Sequence, residues 1–386
     1  MEENKEIIEP KKIEIKDFKN PKLLESPKKV NRFRNFLSKH RRPLIITGSI
    51  LLAICAGGAA AYFVFIKKPV VAKSTVEKTA EVVVVTPDPI KYYSPLTGLL
   101  VADDAATKQA VTGIMIENSP EARPQSGLKN SGVVFEAIAE GGITRFLVLY
   151  QQEKPQMIGP VRSLRLYDAD WAAAFDTSIG HIGGSAAALA EVRNGNYRDI
   201  DQFFNPDAYW RSSDRYAPHN VYTSFAKIDA LNAAKGYTTS TFTGFTRVDG
   251  KASTTLDATN IQVFISSYLF NSSYVYDATT NTYARSQGGE AHLDREDGQI
   301  SPSVVIALRV DETTILEDGY RESINTIGSG SAVIFQNGTV VNATWTKNSK
   351  TEQIKFTDAA GAEIALVRGQ TWLVAVPNDG GDVTWQ

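Results

Sequence analysis

Between residues 93 and 240, short apolar runs alternate with segments whose apolar residues recur every three or four positions. The first pattern predicts strands and the second helices. "VTGIMIEN" (111–118) reads as a strand. "GVVFEAIAE" (132–140) fits a strand and, by pattern alone, also a helix. "ITRFLVLYQ" is apolar on both faces, which predicts a central strand. "EKP" predicts a turn after it, with "QMIGPV" pairing back as a neighbour. "LYDADWAAAFDT" and "SAAALAEVRNG" have helical spacing, and Asn194-Gly195 closes the second. "SIGHIG" between them is a short strand. "SFAKIDALNAAKG" puts Phe225, Ile228, Leu231 and Ala234 on one helical face, and Gly236 stops the helix. The alternation predicts a mixed α/β sheet domain, covered by helices, over 93–240.

Residues 241–386 change character, with Thr, Val, Ile, Tyr and turn residues prevailing. "AVIFQNGTVVNATW" is a hairpin about Asn337-Gly338, because both central positions of a two-residue hairpin loop need positive φ. "IKFTDAAGAEIALV" predicts another hairpin and "TWLVAVP" a last strand. This half reads as a mostly antiparallel β-rich domain, so the fold class is α+β.

The pattern before residue 93 is different again. Residues 1–42 mix Lys and Glu with few apolar positions, and Pro10, Pro21 and Pro27 interrupt any helix, which predicts a disordered tail. Its end, "VNRFRNFLSKHRR", fits either a basic amphipathic helix on an anionic leaflet or a plain stop-transfer flank. Within 43–66, the run Leu44–Ile66 carries no charge. A helix rises about 1.5 Å per residue and a bilayer core is roughly 30 Å thick, so this run is long enough to span. The 43 residues before it favour an uncleaved anchor over a signal peptide, although Ala59-Ala60-Ala61 leaves cleavage open. Six Lys/Arg precede the run within fifteen residues and four follow it, so the N-terminus is expected in the cytoplasm and the C-terminal bulk outside. The expected localisation is the cell membrane, single-pass, with residues 67–92 as a linker; "EVVVVTPDP" there has strand composition.

Charge sharpens this division. Residues 1–42 hold 13 Lys/Arg and 7 Asp/Glu, whereas residues 93–386 hold 23 and 33, a net of −10. An acidic outer part excludes nucleic acid as its partner, since phosphate backbones need a positive surface. The one cysteine, Cys55, lies within the span, so no intramolecular disulfide is possible and the outer part depends on its core.

Against this acidic background, "GGITRFLVLYQQEKPQMIGPVRSLR" places Arg145, Arg162 and Arg165 beside an apolar strand. A guanidinium is always charged and cannot be buried alone. It pairs either with an internal carboxylate, for which Glu136, Glu140, Asp168 and Asp170 are near in sequence, or with an anionic ligand. Asn118, Arg123, Gln125 and Ser126 follow a strand end, where sheet folds often hold ligands, but Pro120, Pro124 and Gly127 there also fit a plain turn. Ser185 opens a helix after Gly183-Gly184 and fits an N-cap, an anion site or a nucleophile. A strand–Gly-x-Ser-x-Gly elbow is missing, because Ala187 stands at the last glycine's position. His181 and His219, with Asn220 beside the latter, fit either packed, hydrogen-bonded residues or general acids and bases. Glu290, His292, Asp294 and Asp297 resemble metal ligands in type, but Asp297-Gly298 is a hairpin signal and the turn is the favoured reading; no metal or cofactor is expected.

Several stretches occur together in order: "PLTGL" near Pro95, "ARPQSGL" at 122–128, "EGGITRF" at 140–146, "GPVRSLR" at 159–165, "HIGGS" at 181, "APHNVY" at 217–222, "TWTKNS" at 344 and "RGQTWLVAVP" at 368. In these the chain resembles the YerB-like family of bacterial lipoproteins, a domain of unknown function, over about 93–386. The resemblance implies an envelope-facing domain in two parts and implies no reaction. Family members are typically lipidated at a cysteine; here the spanning run takes that place.

Two functions fit. One is a surface protein that binds an anionic envelope polymer or lipid-linked precursor through an arginine-rich cleft formed by Asn118, Arg123, Gln125, Glu140, Arg145, Arg162, Arg165, His181, Ser185, His219 and Asn220. The other is an envelope enzyme, a hydrolase or phosphotransferase. Its layout is similar to the LytR-CpsA-Psr phosphotransferases, whose acidic metal-binding motif is not recognisable here.

Overall fold

A computed structural model describes residues 90–314 and 321–386. The tail, the 43–66 span and the linker up to residue 89 lie outside the described residues. Among the described residues, no helix is long and apolar enough to cross a membrane.

The strands of the two main sheets are β1 (Thr112–Glu117), β2 (Val133–Glu140), β3 (Ile143–Tyr150), β4 (Ser178–Gly180), β5 (Arg198–Asp199), β6 (Asn260–Phe264), β7 (Ser272–Asp277), β8 (Thr282–Gln287), β9 (Glu290–Ala291), β10 (Val304–Val310), β11 (Gly328–Gln336), β12 (Thr339–Lys347), β13 (Lys355–Thr357), β14 (Thr371–Pro377) and β15 (Asp382–Trp385). Three helices matter to the site: α1 (Leu166–Ala173), α2 (Ala186–Asn194) and α3 (Phe225–Lys235). Gly236 ends α3 with φ +78°, as the sequence predicts.

Ten strands form one mixed sheet in the order β13-β12-β11-β10-β14-β2-β3-β1-β4-β5. Strands from both sides of residue 240 therefore share one sheet, and the change in composition there is not a break between sheets. A five-stranded antiparallel sheet, β9-β8-β7-β6-β15, forms separately. One face of the large sheet packs Met115, Phe135, Leu147 and Ile306 with Tyr167 and Trp171 of α1 and Val192 of α2. The other packs Ile114, Val134, Val148 and Val305 with Phe225 and Ile228 of α3 and with Ile261, Tyr274 and Tyr283 of the small sheet. Cover on both faces is why β1, β2, β3 and β14 read as continuous apolar runs.

Two expectations need correction. "TWLVAVP" is not the last strand, since β15 follows, and it is not antiparallel: β14 pairs in parallel with both β10 and β2. "QMIGPV" does not lie back along β3; Ile158 bridges Thr223, Gly159 bridges Ser126 and Val161 bridges Ile116. Both edges of β3 are already taken, by β1 and β2. The Asn337-Gly338 hairpin forms as read, with φ +58° and +76° between paired Gln336 and Thr339.

Candidate functional site

β1, β2, β4 and β5 point the same way, so their carboxyl ends, at Glu117, Glu140, Gly180 and Asp199, gather at one end of the sheet. That end of an open sheet is where ligands usually bind. The β2–β3 turn sets the geometry. Gly141 and Gly142, at φ +55° and +76°, close a two-residue loop, and the register slips between Ile138 and Glu140. The bulge turns Glu140 away from the side of Ile138 and onto the side of Arg145.

Glu140 then accepts from two arginines. Its Oε1 lies 2.7 Å from Arg145 Nη2, and its Oε2 accepts from Arg165 Nη2. Arg145 also donates to Ser163 O, and Arg165 to Leu164 O. Burial alone would raise the Glu140 carboxyl, but Arg145 and Arg165 outweigh it and hold it below the usual range. Arg165 opens α1, where its backbone N–H donates to Asp168 Oδ2 at 3.0 Å. Asp168 is buried, and burial pushes its carboxyl up to about 7 against the pull of that N–H and both arginines.

Arg162 is different. Among the described residues it pairs with one carboxylate, Glu117, with Nε 3.2 Å from Oε1, an ion pair without hydrogen-bond geometry. Its side chain is 22% exposed, against 3% for Arg145 and 5% for Arg165. Burial lowers its pKa, with Arg145 adding to the effect against Glu117. The same Glu117 oxygen lies 2.9 Å from His219 Nδ1 and accepts from Ser119 Oγ at 3.0 Å. The other oxygen, Oε2, is buried without a hydrogen-bond partner among the described residues. His219 lines an open cleft of about 500 Å³ with Glu121, Asp214, Arg215, Tyr216 and Arg295. Arg295 pairs with Asp214 at 2.5 Å, and Arg215 donates to the carbonyls of Glu121 and Pro124.

The remaining predicted residues go elsewhere. Asn118, Arg123 and Gln125 join a polar chain, buried at Asn118 and Gln125 and partly exposed at Arg123. Asn118 Oδ1 accepts from Arg123 Nε and Gln125 Nε2, and Asn118 Nδ2 donates to Thr144. Gln125 Oε1 meets His292 Nε2 at 3.0 Å, and His292 Nδ1 meets Arg285 Nη1 at 3.0 Å. Arg285 ends the chain on Glu136. Burial, then Arg285 and Arg123, push His292 well below its ordinary value, so it is a neutral link that accepts from Arg285 at Nδ1 and donates from Nε2. Arg123 also donates to Leu269 O and lies 5.3 Å from the Phe270 ring, tying the loop to the segment between β6 and β7. His181 is fully buried, between Gly183 O at 2.7 Å and Asp199 Oδ1 at 3.1 Å. Ser185 caps α2 by accepting from Ala188 N. Asn220 staples its own loop through Arg211, Ser212 and Arg215.

The arginine-rich cleft of the sequence reading therefore contracts. Arg145 and Arg165 are interior groups that share one carboxylate, and Arg162 with His219 remains toward solvent. Sequence reasoning passed over Glu117, whose burial at the end of β1 makes it the shared anchor, although a carboxylate closing an apolar strand was the available signal. Among the described residues, no three His, Cys, Asp or Glu side chains form a group that could hold a metal.

A family model described as the N-terminal domain of a protein of unknown function (DUF3048) matches residues 96–238, and its C-terminal counterpart matches 259–373. The protein of Bacillus subtilis (strain 168) named "Putative lipoprotein YerB" is 31% identical over 296 residues, covering 75% of this chain and 87% of that one. A crystal structure of YerB from Bacillus subtilis is similar with a TM-score of 0.68 at 28% identity, covering 76% of this chain and 100% of that one.

Proposed function

The chain belongs to the DUF3048 family, and from that premise we propose that it is a membrane-held, extracytoplasmic binding protein whose Arg162 takes up an anionic group of an envelope polymer or lipid-linked precursor. One observation carries the reading. Three guanidiniums, on Arg145, Arg162 and Arg165, face two carboxylates, on Glu117 and Glu140, and the least buried of the three has the looser pair. Asp168, held near neutrality, adds less than a full negative charge to this balance at pH 7. Arg162 is the member of this set that a ligand can reach, and a phosphate or carboxylate would meet it as a charge-assisted partner in competition with Glu117. The uncharged run 44–66 and the printed name of the Bacillus subtilis relative support the membrane setting.

An enzyme is the second reading, favoured by the His219–Glu117 contact. A carboxylate on Nδ1 orients an imidazole so that Nε2 can take a proton, and His219 lines the cleft. Ser119 does not complete a triad, since it approaches the same Nδ1 at 3.3 Å.

Calorimetric titration of the full chain with inorganic pyrophosphate and with polyglutamate tests the binding reading and separates phosphate from carboxylate. Saturable heat from either, absent in Arg162→Ala, supports it. Equal affinity in Arg162→Ala refutes it.

A further inference from the structure

A second site lies at the opposite end of the same strands. Thr177 precedes β4 and Arg198 opens β5, and both line an open groove of about 1030 Å³. That lies at the upper end of the roughly 300–1,000 Å³ of drug-sized sites, so an extended occupant fits. Three partly exposed rings line it: Tyr197, Tyr237 and Phe242.

The charges in the groove are largely spent. Arg198 pairs with Asp176 at 2.8 Å, and Lys350 pairs with Glu191 at 2.7 Å and Asp170 at 3.3 Å. Glu352 accepts from Asn348, and Lys355 is exposed. What remains is neutral hydrogen-bonding capacity. Gln353 is only 9% exposed; its Oε1 accepts from Ile354 N, but its Nε2 donor has no partner among the described residues. A buried amide donor left unpaired is costly, and a ligand acceptor would relieve that cost. Asn196 and Thr243 line the same groove, exposed.

Aromatic faces beside neutral donors and acceptors, with ionic groups already paired, suit a chain of apolar ring faces and hydroxyl edges. We infer that this groove binds a neutral oligosaccharide. An added peptide strand is disfavoured, because the sheet edge here, β5, offers only two residues to pair with.

The test uses the full chain titrated with chitotetraose and cellotetraose by ligand-observed NMR. Saturable binding of at least one is expected. Tyr237→Ala should weaken it by about tenfold and Asn196→Ala, at an exposed position where folding is safe, by about threefold. Arg162→Ala should leave it unchanged, so this site and the anion site fail independently. No binding of either sugar, or binding equally strong in both Tyr237→Ala and Asn196→Ala, overturns the inference, as would saturable capture of a neutral Gly-Ser peptide in place of the sugars.

Discussion

Glu136 Oε2 lies 2.6 Å from Arg285 Nη2, and neither side chain is exposed at all. The two residues are 149 positions apart and belong to the regions matched by the N-terminal and C-terminal family models. Trp372 Nε1 donates to the same oxygen at 2.9 Å, and the guanidinium sits 4.7 Å from the Trp372 ring. Removing one partner of such a pair strands a buried charge, a loss of about 3–5 kcal/mol. Arg285→Met is expected to lower the chemical-denaturation free energy by that amount. Residues 93–240 alone are expected to show no cooperative unfolding transition, because β2 loses β14 and Glu136 loses Arg285.

Glu140 carries a second buried charge balance. Its replacement by Gln keeps the shape but leaves Arg145 and Arg165 facing each other without an anion. The expected loss is again about 3–5 kcal/mol, read by denaturant titration. Replacement of the exposed Asp249, which pairs with Arg368 at 2.6 Å, is expected to cost under about 1 kcal/mol.

Asp168 gives a pH signature. Its folded pKa, about 7, is raised above the unfolded value of 3.8, so the native state holds its proton more tightly. The stability contributed by the protonated form is full below 3.8 and is lost as pH rises toward 7. Asp168→Asn retains an acceptor for Arg165 N–H and cannot ionise. Relative to that variant, the native chain is expected to lose up to about 4 kcal/mol between pH 4 and pH 8, at about 1.4 kcal/mol per pKa unit. Parallel stability curves for the two proteins across that range would contradict the assignment.

Much of this architecture was legible in local pattern. The largely apolar β1 and β3, the cap at Ser185, the stop at Gly236 and the Asn337-Gly338 turn can each be read from a few neighbouring residues. Parallel pairing of β14 was not legible, because an apolar run buried on both faces carries no sign of its neighbours' direction. The same limit governed the site. Glu140 lies five residues before Arg145, and its role as internal partner was among the readings the sequence left open. Glu117 and His219 meet across 102 positions, and Gln125 and His292 across 167, distances at which side-chain chemistry names candidates but not contacts. The bulge between Ile138 and Glu140, which decides that Glu140 faces Arg145, has no sequence marker beyond the glycines after it.

If Arg162 is the ligand-binding cation and Arg145 a structural one, substituting them separates affinity from stability. Pyrophosphate affinity and melting temperature, measured together on the native chain, Arg162→Ala and Arg145→Ala, test it most directly. Arg162→Ala is expected to lose at least about tenfold in affinity and, because His219 still pairs with the buried Glu117, to fall less in melting temperature than Arg145→Ala, which is expected to melt at least about 5 °C below native. An Arg162→Ala protein that melts as low as Arg145→Ala and still binds pyrophosphate with native affinity would contradict it.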